Sequence, residues 1–461
     1  MRRRLAAAAV AVALAAEPAA AHAGALSDAV GAGPVPSWLL VLTGGVVVAG
    51  SFLFASLLTD HAAIAAVNGW RLDVPVPGRR AMARVAGVAG VASLAAILAA
   101  GLVGPLYPTR NLAILWVWGG WWAGYTITVY AVGNTWTALN PWRTLSEWLA
   151  AAGDAVPALG TETTRRLPGW ADPWGSVAGL LGLVWLEVVS PVAGNPRFLS
   201  LVVVAYTAAT LAGARLYGVE DWFRAVDPIA RVFRVYGRLA PVGRTDAGLT
   251  LRLPGTALAA GPADEDETAF VVALLWATTY DGLVATPAWA DLAWALLGDW
   301  PALALPAYLV VLVAGYALFL GVYRVAARRV RERADTYVTV GAIERWFVPS
   351  LVPIAAGYHL AHYLGYFVSL SPALVGVASA PLSATGFPTQ ALPGWFGNLQ
   401  LTFVVLGHLL AVYVAHGVSF DLFPGALAAI RSQYPFVAVM VFYTMTSVWI
   451  ITQPFVAPPL V

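Results

Sequence analysis

The chain has no cysteine and no lysine, and only 11% of its 461 residues are charged. Without cysteine there can be no disulfide, no thiolate-held zinc and no iron–sulfur cluster. Without lysine, Schiff-base chemistry on a side-chain amine is excluded. A soluble domain carries about 25% charged residues. Less than half that share, with 60% hydrophobic residues and a mean hydropathy of +0.74, marks an integral membrane protein. The net charge of +2 is unremarkable, and no nucleic-acid partner is expected. All 26 basic residues are arginine, so their placement carries the charge information. Many of the 20 tryptophans stand near the ends of apolar runs, where an amphipathic ring suits the membrane interface.

The first 23 residues have the layout of a signal peptide: Arg2, Arg3 and Arg4, then an apolar stretch from Leu5 to Ala16, then small residues from Ala19 to Ala23. Cleavage after Ala21 would leave His22 as a terminal copper chelator; cleavage after Ala23 would remove it. The mature chain, 24–461, is expected to be a single multi-pass membrane domain. Apolar runs of about the 20 residues needed to cross a bilayer lie at 38–59, 82–105, 111–136, 175–193, 198–217, 269–286, 302–327, 344–369, 397–418 and 434–455. The expected fold is an all-α bundle of about ten spanning helices in the plasma membrane. Arginines concentrate in alternate loops, such as Arg71, Arg79 and Arg80, or Arg328, Arg329, Arg331 and Arg333, while the other loops hold only Arg110 and Arg197. Positive charge stays on the cytoplasmic side, which predicts both termini outside.

The connecting segments differ in kind. LSEWLAAAGDAV, within 137–174, reads as an amphipathic interfacial helix. Residues 240–260 alternate around LTLRL between Gly and Pro, the pattern of a small hairpin. GPADEDET at 261–268 is an acidic turn placed to cap the next helix. Residues 370–396, rich in Ser, Pro and Gly, read as an external loop. Asn140 before Pro141 reads as a helix cap. His61 and His416 lie toward span ends, and a structural role is expected of both.

Titratable residues inside the apolar runs are the main functional signal, because an ionisable group in a bilayer is expensive and faces other helices. At ~1.5 Å per residue, Glu187, Asp281, His359, His362 and His408 all reach depths between the midplane and the outer half. His359 and His362 are three residues apart and share a helix face, with Tyr358, Tyr363 and Tyr366 around them. Gly282 and Pro287 predict an irregular helix beside Asp281. Neutral imidazoles with carboxylates suit a divalent transition metal such as Zn, Mn, Fe or Cu. The expected ligands are His359, His362 and His408, with Asp281 as ligand or base and Glu187 as general base or supporting group. The same residues would serve a proton or metal-ion path. Two histidines could instead ligate haem or copper. A purely structural role, as interhelical hydrogen bonds of roughly 0.6 kcal/mol each, is the remaining reading.

The ordered segments GNTWTALNPWRTL, LVWLEVVSP, LYGVEDW, TTYDGL, AHYLGYF, GHLLAVYVAH and RSQYPFVAVMV, with the early HAGALSDAVGAGPVPSWLL, resemble the bacterial and archaeal multi-pass membrane proteins called fenitrothion hydrolase. The resemblance spans nearly the whole mature chain. It implies a membrane-bound hydrolase acting on an apolar small molecule, an aryl phosphotriester. One position departs from the family's pattern: Asn134 stands where bacterial members have an acid.

Overall fold

The computed structural model describes residues 36–155, 165–245, 248–382 and 386–461. The expected signal peptide and His22 lie outside the described residues. Most of the described chain is helical. The principal helices are α1 (Ser37–Ala55), α2 (Arg79–Val103), α3 (112–131), α4 (Pro141–Ala155), α5 (Ala171–Val189), α6 (Pro196–Tyr217), α7 (Pro228–Gly237), α8 (Glu267–Val284), α9 (Pro287–Leu297), α10 (Ala304–Ala334), α11 (Val352–Ser379), α12 (Phe396–Leu422) and α13 (Ala426–Ile451). Each of the ten apolar runs falls mainly on a helix. Among the described residues, seven helices are long and apolar enough to cross a membrane, or eight if α8 and α9 form one broken span. Their outward faces are apolar, as at Leu53 and Phe54 on α1 or Val310 and Leu318 on α10. Such faces suit lipid and would be costly in water.

Three runs are less regular than the rest. The middle of α3, Leu115–Tyr125, is wound as a π-helix. Such windings are rare and mostly occur as single turns at functional sites. On α5 the apolar stretch, Trp174–Val189, is short for a crossing. Between α8 and α9 the chain bends by 76°. There the Thr286 hydroxyl caps α9 through the Trp289 N–H at 3.2 Å. Near the C-terminus the chain folds back over this break. Val456 N–H donates to the Ala285 carbonyl at 2.9 Å, and the Tyr308 hydroxyl donates to the Pro459 carbonyl at 3.1 Å.

Helix α8 is the centre of the bundle. Sixteen of its 18 residues are buried, and α5, α10, α11 and α13 pack around it. Residues 370–379, read from sequence as loop, are the last turns of α11 with Pro372 inside them. Proline removes one helical N–H. The carbonyl it would have served, on Val368, accepts from the Ser371 hydroxyl at 2.9 Å, so the helix continues.

The hairpin forms as read, from β2 (Val242–Arg244) and β3 (Gly248–Arg252). The strand β1 (Arg71–Pro75) pairs antiparallel with β3 on its other side. Asn140 caps α4 as expected, accepting from the N–H groups of Trp142 at 3.0 Å and Arg143 at 3.1 Å. The acidic turn does something other than cap. Asp266, at the N-terminus of α8, makes no side-chain cap. Instead Asp266 pairs with buried Arg231, Glu267 with Arg238 at 2.6 Å and Glu265 with Arg345 at 2.8 Å. Three carboxylates thereby tie the start of α8 to α7, to the residue after it and to the helix before α11.

Candidate functional site

His359, Tyr363 and Tyr366 follow one another at i, i+4 and i+7 on α11 and so share a face, with His362 at its edge. Helix α11 is held close to its neighbours by missing side chains. A Cβ on Gly357 would lie 2.7 Å from the Phe403 carbonyl oxygen and 2.9 Å from Gly407 Cα on α12. On the other side, a Cβ on Gly124 of the π segment would lie 2.6 Å from the Phe367 ring. The glycines thus let α12 approach α11 backbone to backbone and let α3 seat the Phe367 ring of α11.

Asp281, on α8, is the meeting point. Its Oδ2 accepts from the Tyr363 hydroxyl at 2.9 Å and lies 3.6 Å from His362 Nε2. The His362 side chain is 22% exposed and Asp281 9%, so the imidazole is the more accessible partner. A Cβ on Gly282 would collide with the Tyr358 hydroxyl, so the glycine gives that ring its place against α8. The Tyr358 ring in turn lies nearly parallel to His362, 9° between planes and 6.1 Å between centroids.

His359 is fully buried and turned another way. Its Nδ1 is 3.2 Å from the Tyr130 hydroxyl on α3. The rings of Trp122, Tyr236 and Tyr363 surround it at 5.5, 6.1 and 4.6 Å between centroids. His408 is fully buried too, and its Nδ1 donates to the Val404 carbonyl of its own helix at 2.8 Å. That bond fixes the proton on Nδ1.

A cavity of about 950 Å³ opens beside Asp281. Its wall comes from α2, α3 with its π segment, the short helix Trp136–Leu139, the start of α4, and α5, α6, α7, α8 and α11. Most of the lining is apolar or aromatic, with Trp121, Trp122, Trp136, Phe233 and Phe367 prominent. Glu187 of α5, Asp281, Thr278 and Tyr363 are part of the same wall. Among the described residues, no Arg and no His lines it.

The structure therefore brings the two carboxylates, Glu187 and Asp281, to one cavity, with His362 behind Asp281. It does not bring the three histidines together. Among the described residues, no group of three or more His, Asp or Glu is arranged to hold a metal ion. The donor set expected from sequence, His359, His362 and His408, does not fit a metal in this arrangement. His416 is structural: its Nε2 faces the Leu58 carbonyl at 2.8 Å and its Nδ1 faces the Gln433 amide at 3.3 Å. His61 opens a short helix capped by Asp60 and rests against the Phe420 ring at 4.8 Å. Asn134 makes two hydrogen bonds at a turn, from Trp136 N–H at 2.8 Å and to the Phe233 carbonyl at 2.9 Å. It is absent from the cavity wall.

Sequence reasoning named Tyr363 only as a neighbour, and it passed over Tyr130, Tyr236 and the π segment. The run LWVWGGWWAGY was the available signal, since bulky rings interrupted by glycines suit a helix that lines a cavity on one side and packs tightly on the other. Comparison of the chain with protein-family models, curated proteins and solved structures finds no match.

Proposed function

We propose that the chain is a membrane-embedded hydrolase of apolar esters, with aryl phosphotriesters as the class its resemblance names, working through Glu187 and Asp281. The observation that carries this reading is the large apolar cavity with two carboxylates in its wall and a tyrosine and a histidine on one of them. Substrate pockets are concave and mostly apolar, with a few placed polar groups. A neutral triester would partition into the bilayer and lodge its aryl and alkyl groups against the aromatic wall. Glu187 takes a proton from water, the water oxygen bonds to phosphorus, and the phosphorus–aryloxide bond breaks. The aryloxide is protonated from the Asp281–His362 pair, and Glu187 then returns its proton to that pair. Tyr363 holds Asp281 in place. The phosphodiester keeps the second proton of the water until it loses it to solvent; the anion that results is repelled by the carboxylates, which favours release. In this reading the molecule sits in the plasma membrane with both ends outside and loses its signal peptide.

The test is release of nitrophenolate from nitrophenyl phosphotriesters and carboxylic esters by purified protein, followed by absorbance. Glu187→Gln and Asp281→Asn should each lower kcat/KM by about 10²-fold or more, the usual size of a general acid–base contribution. Wild-type protein that releases no phenol above the enzyme-free rate, or variants that match it, would remove the hydrolase reading.

One observation favours a second reading. A helix broken by 76° beside a buried carboxylate is the layout of discontinuous helices in transporters. Proton flux into proteoliposomes, abolished by Asp281→Asn and without chemical turnover, would select it.

A further inference from the structure

We propose that a second site, the groove between α10 and α13, holds one phospholipid of net negative charge, with an acyl chain along the groove and its phosphate on Arg329 and Arg333. The groove has a volume of about 750 Å³ and shares no residue with the wall of the Asp281 cavity, so the inference does not rest on hydrolysis. Its apolar part is lined by Leu318, Gly321 and Val325 of α10 and by Pro435 and Ala438 of α13. Gly321 keeps it open, since a Cβ there would meet nothing within 4 Å. From Ala317 to Ala326 the lining covers about 14 Å along α10, close to half of a hydrocarbon core of about 30 Å. That is the depth of an acyl chain in one leaflet. At one end the lining turns polar, with Arg329, Arg333 and Tyr434. The stretch of α10 from Ala304 to Tyr323 carries no charge and is itself about 30 Å long, so the arginines that follow reach the headgroup layer. The Cα–Cβ bonds of a helix lean toward its N-terminus, which aims both arginines back toward the apolar part.

Charge selects the headgroup. A guanidinium stays ionised in proteins. Among the described residues, no carboxylate lines the groove. Glu332 pairs with Arg329 at 2.9 Å, but both side chains are exposed, so the pair is weak. Arg333 is in no ion pair among the described residues. Asp335 is exposed two residues further on, and Glu344 lies toward Arg324 and Arg328, which are outside the lining. On α13, Arg431 stands one turn before Tyr434 on the same face. Arg329, Arg333 and Arg431 thus outnumber Glu332 and Asp335 around the mouth.

The experiment titrates phosphatidylglycerol and phosphatidylcholine of identical chains into delipidated, detergent-purified full-length protein and reads bound lipid by native mass spectrometry. Both lipids carry a phosphate, and only the first is a net anion. Phosphatidylglycerol should bind at least about fivefold tighter, the worth of one arginine beside an anionic lipid. Arg333→Gln should weaken it by about fivefold and leave phosphatidylcholine unchanged. Arg331→Gln, an exposed arginine outside the lining, should have the smaller effect. Gly321→Leu puts a side chain where the acyl chain lies and should weaken both lipids by about tenfold, the loss of contact with roughly two methylenes. Glycerol phosphate without acyl chains should not displace the lipid. Equal binding of the two lipids, an Arg331→Gln effect as large as that of Arg333→Gln, or affinities unchanged in Gly321→Leu would overturn the proposal. Displacement by glycerol phosphate would overturn it in favour of a soluble phosphate. If Arg333→Gln does not yield a monodisperse protein, the wild-type comparison and Gly321→Leu decide.

Discussion

Placing a methyl group between α11 and α12 should loosen the site without touching it. Gly407 on α12 faces Gly357 on α11. A Cβ at Gly407 would lie 2.6 Å from the Pro353 carbonyl oxygen and 3.0 Å from Gly357 Cα. Both are backbone atoms, so neither can rotate aside. Reaching an ordinary contact of 3.4 Å requires the helices to part by about 0.8 Å. Overpacking of this kind costs about 1–3 kcal/mol. The displaced helix carries His362 and Tyr363, so the 2.9 Å Tyr363–Asp281 bond stretches toward the limit of hydrogen bonding. Gly407→Ala should therefore lower the melting temperature in detergent by several degrees, on the order of 2–4 °C per kcal/mol. Gly182→Ala is the control, because its Cβ would meet nothing within 4 Å and alanine is the better helix former. A Gly407→Ala protein that melts within one degree or so of wild type would refute the argument that this crossing is set by glycine.

Three further outcomes are expected. Burial pushes the Asp227 carboxyl up to about 6, above its ordinary value of 3.8, although the Ala230 N–H and the Tyr206 hydroxyl both donate to it. The folded state then holds its proton more tightly than the unfolded state does. Its contribution is full below about pH 4 and is lost as pH rises through about 6, for at most about 3 kcal/mol. Asp227→Asn keeps an acceptor for the cap and should flatten the fall in melting temperature between about pH 4 and 7; an unchanged slope would assign it elsewhere. Asp266→Asn would leave Arg231, 1% exposed, without its ion-pair partner. Breaking a buried pair costs about 3–5 kcal/mol, and replacing both residues by apolar ones should recover much of it in a thermal melt. Asn140→Ala removes the cap of α4 at about 1 kcal/mol, to be seen as faster proteolysis or exchange in 141–155 with little change elsewhere.

The sequence and the structure agree most where one residue type settles one outcome. Apolar runs became helices, since a backbone in lipid has few other ways to bond its N–H and C=O groups. Asn140 became a cap, and LTLRL became a strand. They part company where neighbours decide. Pro372 reads as a helix breaker until Ser371 is seen serving the carbonyl it frees. Asp266 reads as a cap until Arg231 is seen beneath it. Depth along a helix is written in residue number, and it put five titratable groups at one level. Which way each points around its helix is not. Glu187 and Asp281 turn toward one cavity, while His408 turns to Val404 and His359 to Tyr130. Rotation about the helix axis separates a ligand set from three histidines with different partners, and only packing against other helices fixes it.

The burial of α8 has a consequence for biogenesis. With sixteen of 18 side chains enclosed by other helices, the solvent of α8 is protein and not lipid. This is what lets Thr278, Thr279 and Asp281 sit together in it, a composition the bilayer alone would resist. Much of the protein that encloses α8 comes later in the chain, from α10, α11 and α13. During synthesis α8 therefore emerges before α10, α11 and α13, which supply much of its burial. The residues after α13 lie over the break at Ala285, so the last part of the chain to be made is also the part that covers it.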